Sequence, residues 1–229
     1  MPASLQVAVV IPALNEEEAL PLVLRDLPMA RLSRVMVVDN GSSDRTAQVA
    51  EEAGVEVIRE PRRGYGRACQ AALAVLSEDP PDIVVILDAD HSDHPEELPS
   101  LLAPLERNQA DLVLGSRVLG VREPGSLPLH ARLGNSLATF LIWIRHGRRF
   151  TDLGPFRAIR WKALEILQMA DSDYGWNVEM QVKAVRLGLR CLEVPVRYRR
   201  RLGRSKISGT VRGTLRAGIK ILWKACCPL

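Results

Sequence analysis

The sequence predicts an α/β fold: a mostly parallel sheet covered by helices on both faces, followed by a C-terminal amphipathic helix. Three observations carry this. The first half alternates short apolar, β-branched-rich runs with stretches whose apolar residues recur at helical spacing. Each apolar run gives way to polar and turn residues, as strands do where they leave a sheet. Near the end, Leu215, Ile219, Leu222 and Trp223 are interleaved with Arg216, Lys220 and Lys224, the pattern of a basic amphipathic helix.

Taken in order, Val7–Ile11, Arg34–Val38, Val55–Ile58, Ile83–Leu87 and Leu112–Leu114 read as buried strands. Glu16–Leu27, Thr46–Ala53, Gly66–Leu76 and Glu96–Arg107 read as the helices between them. In the second half, Leu127–His146 reads as a helix interrupted at Gly134, and Phe156–Ile159 as a short strand. Lys162–Met169 and Trp176–Leu187 read as helices, and Cys191–Tyr198 as a strand. Ligands in such sheets bind beyond the carboxyl ends of the strands. The chemistry is therefore expected just after Ile11, Val38 and Leu87, where the sequence turns polar.

A length of 229 residues, 47% hydrophobic and 25% charged, excludes extensive disorder, a collagen-like chain and a small disulfide scaffold. Cys69, Cys191, Cys226 and Cys227 have no metal-site spacing, which fits a reduced, cytoplasmic location. No run of about 18 apolar residues occurs, so no helix is expected to span a bilayer. The net charge of +4 hides an asymmetry. Residues 1–114 hold 9 Lys and Arg against 20 Asp and Glu, whereas residues 115–229 hold 22 against 7. A partner carrying negative charge on the C-terminal side is one reading; mutual neutralisation of the halves is the other.

Three clusters carry the chemistry. Pro12-Ala13-Leu14-Asn15-Glu16-Glu17-Glu18 follows the first strand; its acids would repel phosphate, so a nucleobase or ribose is the better guest, and Asn15 can cap the next helix. Asp39-Asn40-Gly41-Ser42 follows the second, with Asp39 able to accept from a base N–H and Asp44 reading as a helix cap. Asp88-Ala89-Asp90 follows the fourth. Two carboxylates at i and i+2 repel each other unless a cation compensates, and magnesium prefers one or two carboxylates plus substrate phosphates. His91, Asp93 and His94 read as a solvated loop beyond them.

These clusters, with Gly115-Ser116-Arg117, Asp152…Phe156-Arg157-Ala158, Glu193-Val194-Pro195 and Gly203-Arg204-Ser205-Lys206, resemble family 2 glycosyltransferases of the GT-A (Rossmann-like) fold. Within that family the chain is similar to the dolichyl-phosphate or polyprenyl-phosphate mannose synthases. The resemblance implies an inverting hexosyltransferase using a GDP-mannose or UDP-glucose type donor, Mg2+ or Mn2+, and a lipid-phosphate acceptor. It implies a GT-A domain over residues 1–209; the basic amphipathic pattern of the tail then places a helix over 210–229, on a membrane surface or packed on its own domain. Pro12, Leu14, Glu16, Val37 and Asp39 match the nucleoside pocket, with Gly64 and Gly66 letting backbone approach the nucleotide. Asp88, Ala89 and Asp90 match the nucleotide-sugar motif, the two aspartates also the metal site. Ser92 stands where the mannose synthases carry a Gln that assists the metal, and Asn40 where many relatives have a second acid. Arg117 and Arg132 match positions that meet the acceptor phosphate, and Arg204 and Lys206 a basic loop over the donor diphosphate. Asp152 is a base or an orienting carboxylate.

Under this resemblance the enzyme sits peripherally on the cytoplasmic face of a membrane, by direct contact or through a membrane-protein partner, with Arg197, Arg199, Arg200 and Arg201 facing headgroups. A soluble transferase acting on a small phosphorylated or hydroxyl acceptor is the alternative. A dinucleotide oxidoreductase is disfavoured because Gly64-Tyr65-Gly66 continues to Cys69 rather than glycine. Nucleic acid is disfavoured by the scarcity of aromatics beside the arginines and by the acidic first half.

Overall fold

Val7–Ile11 and Ile83–Ile86 are continuous apolar runs buried on both faces, the signature of central strands covered by helices on either side. A computed structural model, which describes residues 5–203, 220 and 223–225, builds them into one seven-stranded sheet. The strands are β1 (Val7–Ala13), β2 (Arg34–Asp39), β3 (Glu56–Arg59), β4 (Ile83–Ile86), β5 (Leu112–Ser116), β6 (Arg157–Arg160) and β7 (Cys191–Pro195). Their order is β3-β2-β1-β4-β6-β5-β7. β6 runs antiparallel to both β4 and β5, and every other pairing of the described strands is parallel.

The helices are α1 (Leu20–Asp26), α2 (Thr46–Glu52), α3 (Tyr65–Leu76), α4 (Leu98–Glu106), α5 (Leu129–His146), α6 (Trp161–Leu167) and α7 (Trp176–Arg186). Two apolar cores flank the sheet. One packs Leu20 and Val23 of α1, Ala50 of α2 and Leu101 and Leu105 of α4. The other packs Ala68 and Ala72 of α3, Ile142 of α5, Leu164 of α6 and Met180 of α7. The α/β class with helices on both faces is thus as the sequence predicts.

Several boundaries differ for local reasons. α1 starts at Leu20 and not Glu16, because Asn15 adopts a left-handed φ of 53° and Glu16–Ala19 form a turn first. Asn15 therefore does not cap α1. Gly134 does not interrupt α5; it lies on an open face of the helix, where nothing crowds its α-carbon. β7 stops at Pro195, after which the chain leaves the sheet edge and runs back over the loop following β4.

The proposed boundary at 209/210 falls outside the described residues. Of the tail helix, the described residues turn their charge inward: Lys220 Nζ lies 2.9 Å from Asp171 Oδ1 and Lys224 Nζ 3.6 Å from Asp171 Oδ2, while Ala225 is buried. Among the two readings of that helix, these contacts favour packing on its own domain.

Gly66 was expected to admit the nucleotide. In the structure it admits the protein instead: a β-carbon there would stand 1.9 Å from the Asp171 carbonyl oxygen. The first turn of α3 can lie against the Asp171–Ser172 backbone only with glycine at that place. Gly66→Ala is expected to destabilise the fold by about 2 kcal/mol, a fall of roughly 6 °C in Tm by calorimetry. An unchanged Tm would contradict the packing argument.

Candidate functional site

The carboxyl ends of β1, β2 and β4 converge on a cleft of about 440 Å3. Of the predicted residues, Pro12, Leu14, Glu16, Asp88, Ala89 and Asp90 line it, as does Gly64. Asp39 does not; its Oδ1 accepts the Ser42 amide at 3.0 Å beside the cleft. Val37 is a correction, since its side chain is fully buried in the sheet core. Gly66 is likewise behind the wall, as described above.

Asn40, the neutral residue standing in for an acid, has a definite task. Its Oδ1 accepts the Gly64 amide at 2.7 Å, and its Nδ2 donates to the Glu60 and Arg62 carbonyls at 3.0 and 2.9 Å. A carboxylate could not donate, so the amide is what fixes the loop leading into α3. That loop brings Arg63, Gly64 and Tyr65 to the cleft, with Asp173 and Tyr174 from the segment before α7.

The loop after β4 is the most concentrated electrostatic feature. Asp88 has a buried Oδ1 without a hydrogen-bond partner. Burial, and next the Asp90 carboxylate, push Asp88 up to about 7. Asp90 is held by the Ser92 amide at 2.9 Å and the Ser92 hydroxyl at 2.5 Å. Ser92 thus orients one of the paired carboxylates from behind. The pair suits a hard divalent ion: an orphaned oxygen, a repelling neighbour and an open side for phosphate oxygens are what such an ion needs. Among the described residues no cluster of three or more His, Cys, Asp or Glu could hold a metal ion by itself.

The expectation of a solvated loop beyond Asp90 is overturned. His91, Ser92 and Asp93 are all buried, and His91 Nε2 lies 2.8 Å from Asp26 Oδ2. Burial, then Asp88 and Asp90, push the Asp93 carboxyl well above the usual carboxylate range.

The tail arginines were read as facing headgroups, and they are instead spent on the protein. Arg197 pairs with Glu97 at 2.7 Å and Glu96 at 3.1 Å. Arg199 donates to the Asp93 carbonyl at 3.1 Å, and Arg200 to the Pro124 carbonyl at 2.8 Å. Arg201 reaches into the cleft, 2.7 Å from Asp90 Oδ2 and 3.7 Å from Glu16 Oε1. The strap holds to the aspartate loop through backbone bonds as well: Arg199 N–H to the Ser92 carbonyl at 2.9 Å and Leu202 N–H to the Asp90 carbonyl at 3.0 Å. Sequence reasoning missed Arg63, Tyr65, Asp173 and Tyr174 of the cleft wall and, most consequentially, Arg201, because one arginine in a basic run carries no mark of its partner. Arg204 and Lys206 lie outside the described residues.

At the end of β5, Arg117 meets Asp152. Its Nε donates to Asp152 Oδ2 at 2.7 Å, its second guanidinium nitrogen to Oδ1 at 2.7 Å, and its own amide to Oδ2 at 2.8 Å. Burial alone would raise Asp152, but the guanidinium holds its carboxyl below the ordinary value. The Arg117 guanidinium also stacks 5.0 Å from the Tyr198 ring centroid. Asn135 of α5 brackets the pair, donating to the Thr151 carbonyl at 3.0 Å and accepting the Leu153 amide at 2.9 Å. Arg132 is exposed on α5 and lines no part of the cleft.

The family model for glycosyl transferase family 2 matches residues 8–166. Relatives include an uncharacterized glycosyltransferase of Mycobacterium tuberculosis, 42% identical over 95% of this chain and 96% of its own length. An undecaprenyl-phosphate mannosyltransferase of Micrococcus luteus is 34% identical over 91% and 90%. Among solved structures, glucosyl-3-phosphoglycerate synthase of Mycobacterium tuberculosis, in complex with Mn2+, UDP-glucose and phosphoglyceric acid, is similar with a TM-score of 0.74 at 26% identity, covering 98% of this chain and 80% of that one.

Proposed function

The chain belongs to glycosyl transferase family 2 and carries the GT-A fold, and on that footing we propose that it moves a hexose, with inversion, from a nucleoside diphosphate sugar to a polyprenyl or dolichyl phosphate. The donor is of the GDP-mannose or UDP-glucose type. The observation that carries the reading is the Asp88 and Asp90 pair, open to a cleft at the strand ends; the Arg117–Asp152 pair lines no part of that cleft, but its guanidinium is near enough to favour the Asp88 carboxylate. Its likeness to the mannosyltransferase over nine-tenths of both chains supports the lipid acceptor.

In this reading Pro12, Leu14 and Glu16 take the nucleoside, with Asp39 beside the cleft bracing Ser42 and the Asn40-braced loop as the opposite wall. Asp88 and Asp90 would hold Mg2+ or Mn2+, which supplies charge neutralisation for the departing nucleoside diphosphate. Arg201, at the lip beside Asp90, is within reach of the same phosphates and can move onto them when they displace it. Arg204 and Lys206 would follow it as the basic loop closes and excludes water. A lipid phosphate is already an anion near neutral pH, so its attack needs no side-chain base. Asp152, spent on Arg117 through both oxygens, is then an orienting carboxylate. It fixes the guanidinium so that its remaining N–H groups meet the acceptor phosphate, with Arg132 as a more distant contact. The lipid-acceptor reading puts the enzyme peripherally on a cytoplasmic membrane face; no helix of the described residues is long and apolar enough to cross a membrane.

A second reading is a small phosphorylated acceptor in solution, favoured by the phosphoglyceric acid in the similar synthase complex. Purified protein incubated with GDP-mannose or UDP-glucose, and with polyprenyl phosphate or 3-phosphoglycerate, separates the two. Hexosyl-lipid formation that stops on adding chelator is the expected result. Transfer to phosphoglycerate alone would overturn the lipid reading, and undiminished transfer in excess chelator would overturn the metal.

A further inference from the structure

α5 carries an apolar face that none of its own core uses. Leu129, Leu133, Leu137, Phe140, Trp143 and Ile144 are each between 46% and 67% exposed. At 3.6 residues per turn they fall within an arc of about 120°. Its opposite side supplies Ala138, Thr139 and Ile142 to the protein interior. The stripe therefore runs from Leu129 to Ile144, nearly the whole helix, roughly 24 Å. Isolated exposed leucines need no explanation, but a continuous stripe on a soluble surface does.

The surrounding charge identifies the occupant. From residue 124 to residue 151 the sequence contains no Asp or Glu, while Arg132, Arg145 and Arg149 are exposed there. Arg149 lies 5.9 Å from the centroid of the Trp143 ring, so cation and aromatic share one edge of the stripe. A second copy of this chain, paired through the same helix, would face these arginines with arginines and offer no carboxylate from residues 124–151. An anionic bilayer offers both an apolar layer and negative headgroups. We infer that α5 lies in the plane of an anionic lipid surface, with the Leu129–Ile144 stripe in the acyl boundary and its arginines at the headgroups.

The same helix is tied to the proposed acceptor side. Asn135, on its inner face, bonds both Thr151 and Leu153, the neighbours of Asp152, and Asp152 grips Arg117. Exposed Val118 and Leu119 directly follow Arg117. A helix seated in the interface thus brings the Arg117 guanidinium to headgroup depth, where a lipid phosphate would be met. Only this last purpose rests on the lipid-acceptor reading; the docking itself does not.

The test uses the full chain and vesicles of phosphatidylcholine with and without phosphatidylglycerol, lacking donor and acceptor. Co-sedimentation with the anionic vesicles, weakened by salt, is expected. The Leu137→Gln/Ile144→Gln double variant should bind at least about tenfold more weakly, with unchanged circular dichroism. Brominated lipid should quench tryptophan fluorescence in the parent but not in Trp143→Phe, since Trp161 and Trp176 are buried. Three results would overturn the inference: no binding to anionic vesicles, binding indifferent to the double variant, or quenching that persists in Trp143→Phe and so comes from the exposed Trp223. Dimerisation in sedimentation equilibrium, abolished by the same double variant, would also overturn it in favour of a second copy. Vesicle binding with transfer only to a soluble acceptor would defeat the lipid-acceptor reading alone. Transfer to polyprenyl phosphate in detergent without vesicle binding would defeat the docking alone.

Discussion

Asp88→Asn should abolish sugar transfer and, in chelator, raise the melting temperature by a few degrees. Both halves follow from one carboxylate. Asp88 is buried, one of its oxygens has no partner, and Asp90 repels it. Without a cation, its charge at neutral pH opposes folding; an amide of the same shape carries no charge to be repelled. The sign can be worked through. A carboxyl raised to about 7 in the fold, against about 4 in the unfolded chain, costs stability progressively as pH rises from the lower value through the higher. The variant's advantage should therefore be largest above neutral pH and vanish in acid. The loss of activity should be about a thousandfold in kcat/KM, the scale for removing an electrostatic partner of a departing anion. A variant that is less stable in chelator at pH 8, or that keeps full activity, would refute the role given to Asp88. The companion Asp90→Asn should lose activity comparably without the stability gain, since Asp90 is compensated by Ser92 and Arg201.

Arg117→Ala should lower stability by about 3–5 kcal/mol, because it leaves the Asp152 carboxylate buried without its cation. In a chain of this length that corresponds to a drop of roughly 10 °C. The Arg117→Ala/Asp152→Ala double variant should recover much of it, since the buried uncompensated charge is then gone. Equal losses in the single and double variants would show that the unpaired Asp152 carboxylate is not what destabilises Arg117→Ala. The pair also has an acid signature. Asp152 is held below its ordinary value by Arg117, so its contribution is present above the unfolded pKa and lost as pH falls through the lower folded value. Arg117→Lys keeps the charge and loses the planar fork, and should raise the acceptor KM well beyond the donor KM. An unchanged acceptor KM would remove Arg117 from the acceptor side.

Much of this was legible in the sequence because strand ends announce themselves. The apolar runs ending at Ile11 and Leu87 put Pro12–Glu16 and Asp88–Asp90 at one edge of a sheet before any coordinate is known, and these residues do line one cleft. What stayed hidden depends on contact through space. His91 and Asp93 are polar letters after a turn, and only the strap crossing them, with Tyr198 paired to Asp93, buries them. Arg197, Arg199, Arg200 and Arg201 are indistinguishable as letters, yet each takes a different partner: glutamates, a loop carbonyl, another carbonyl, and the cleft aspartate. Gly66 signals a close approach, but a sequence does not say whether nucleotide or backbone approaches. The direction of β6 was equally unreadable, since a four-residue strand pattern such as Arg157–Arg160 looks the same either way.

That direction has an architectural consequence. Because β6 runs against β4 and β5, its first residue, Arg157, pairs with Ile86 and Leu114 near their last residues. The chain between Ser116 and Arg157 thus departs from and returns to the same rim of the sheet. It is a closed excursion, inserted without disturbing the strand order that builds the nucleotide side. Such an excursion can be lengthened, shortened or exchanged as a cassette, and its contents are Arg117, α5 and Asp152. On the proposed reading, donor and acceptor recognition would then lie in separable stretches of the chain, and swapping residues 117–156 between relatives is the rational unit for testing what receives the sugar.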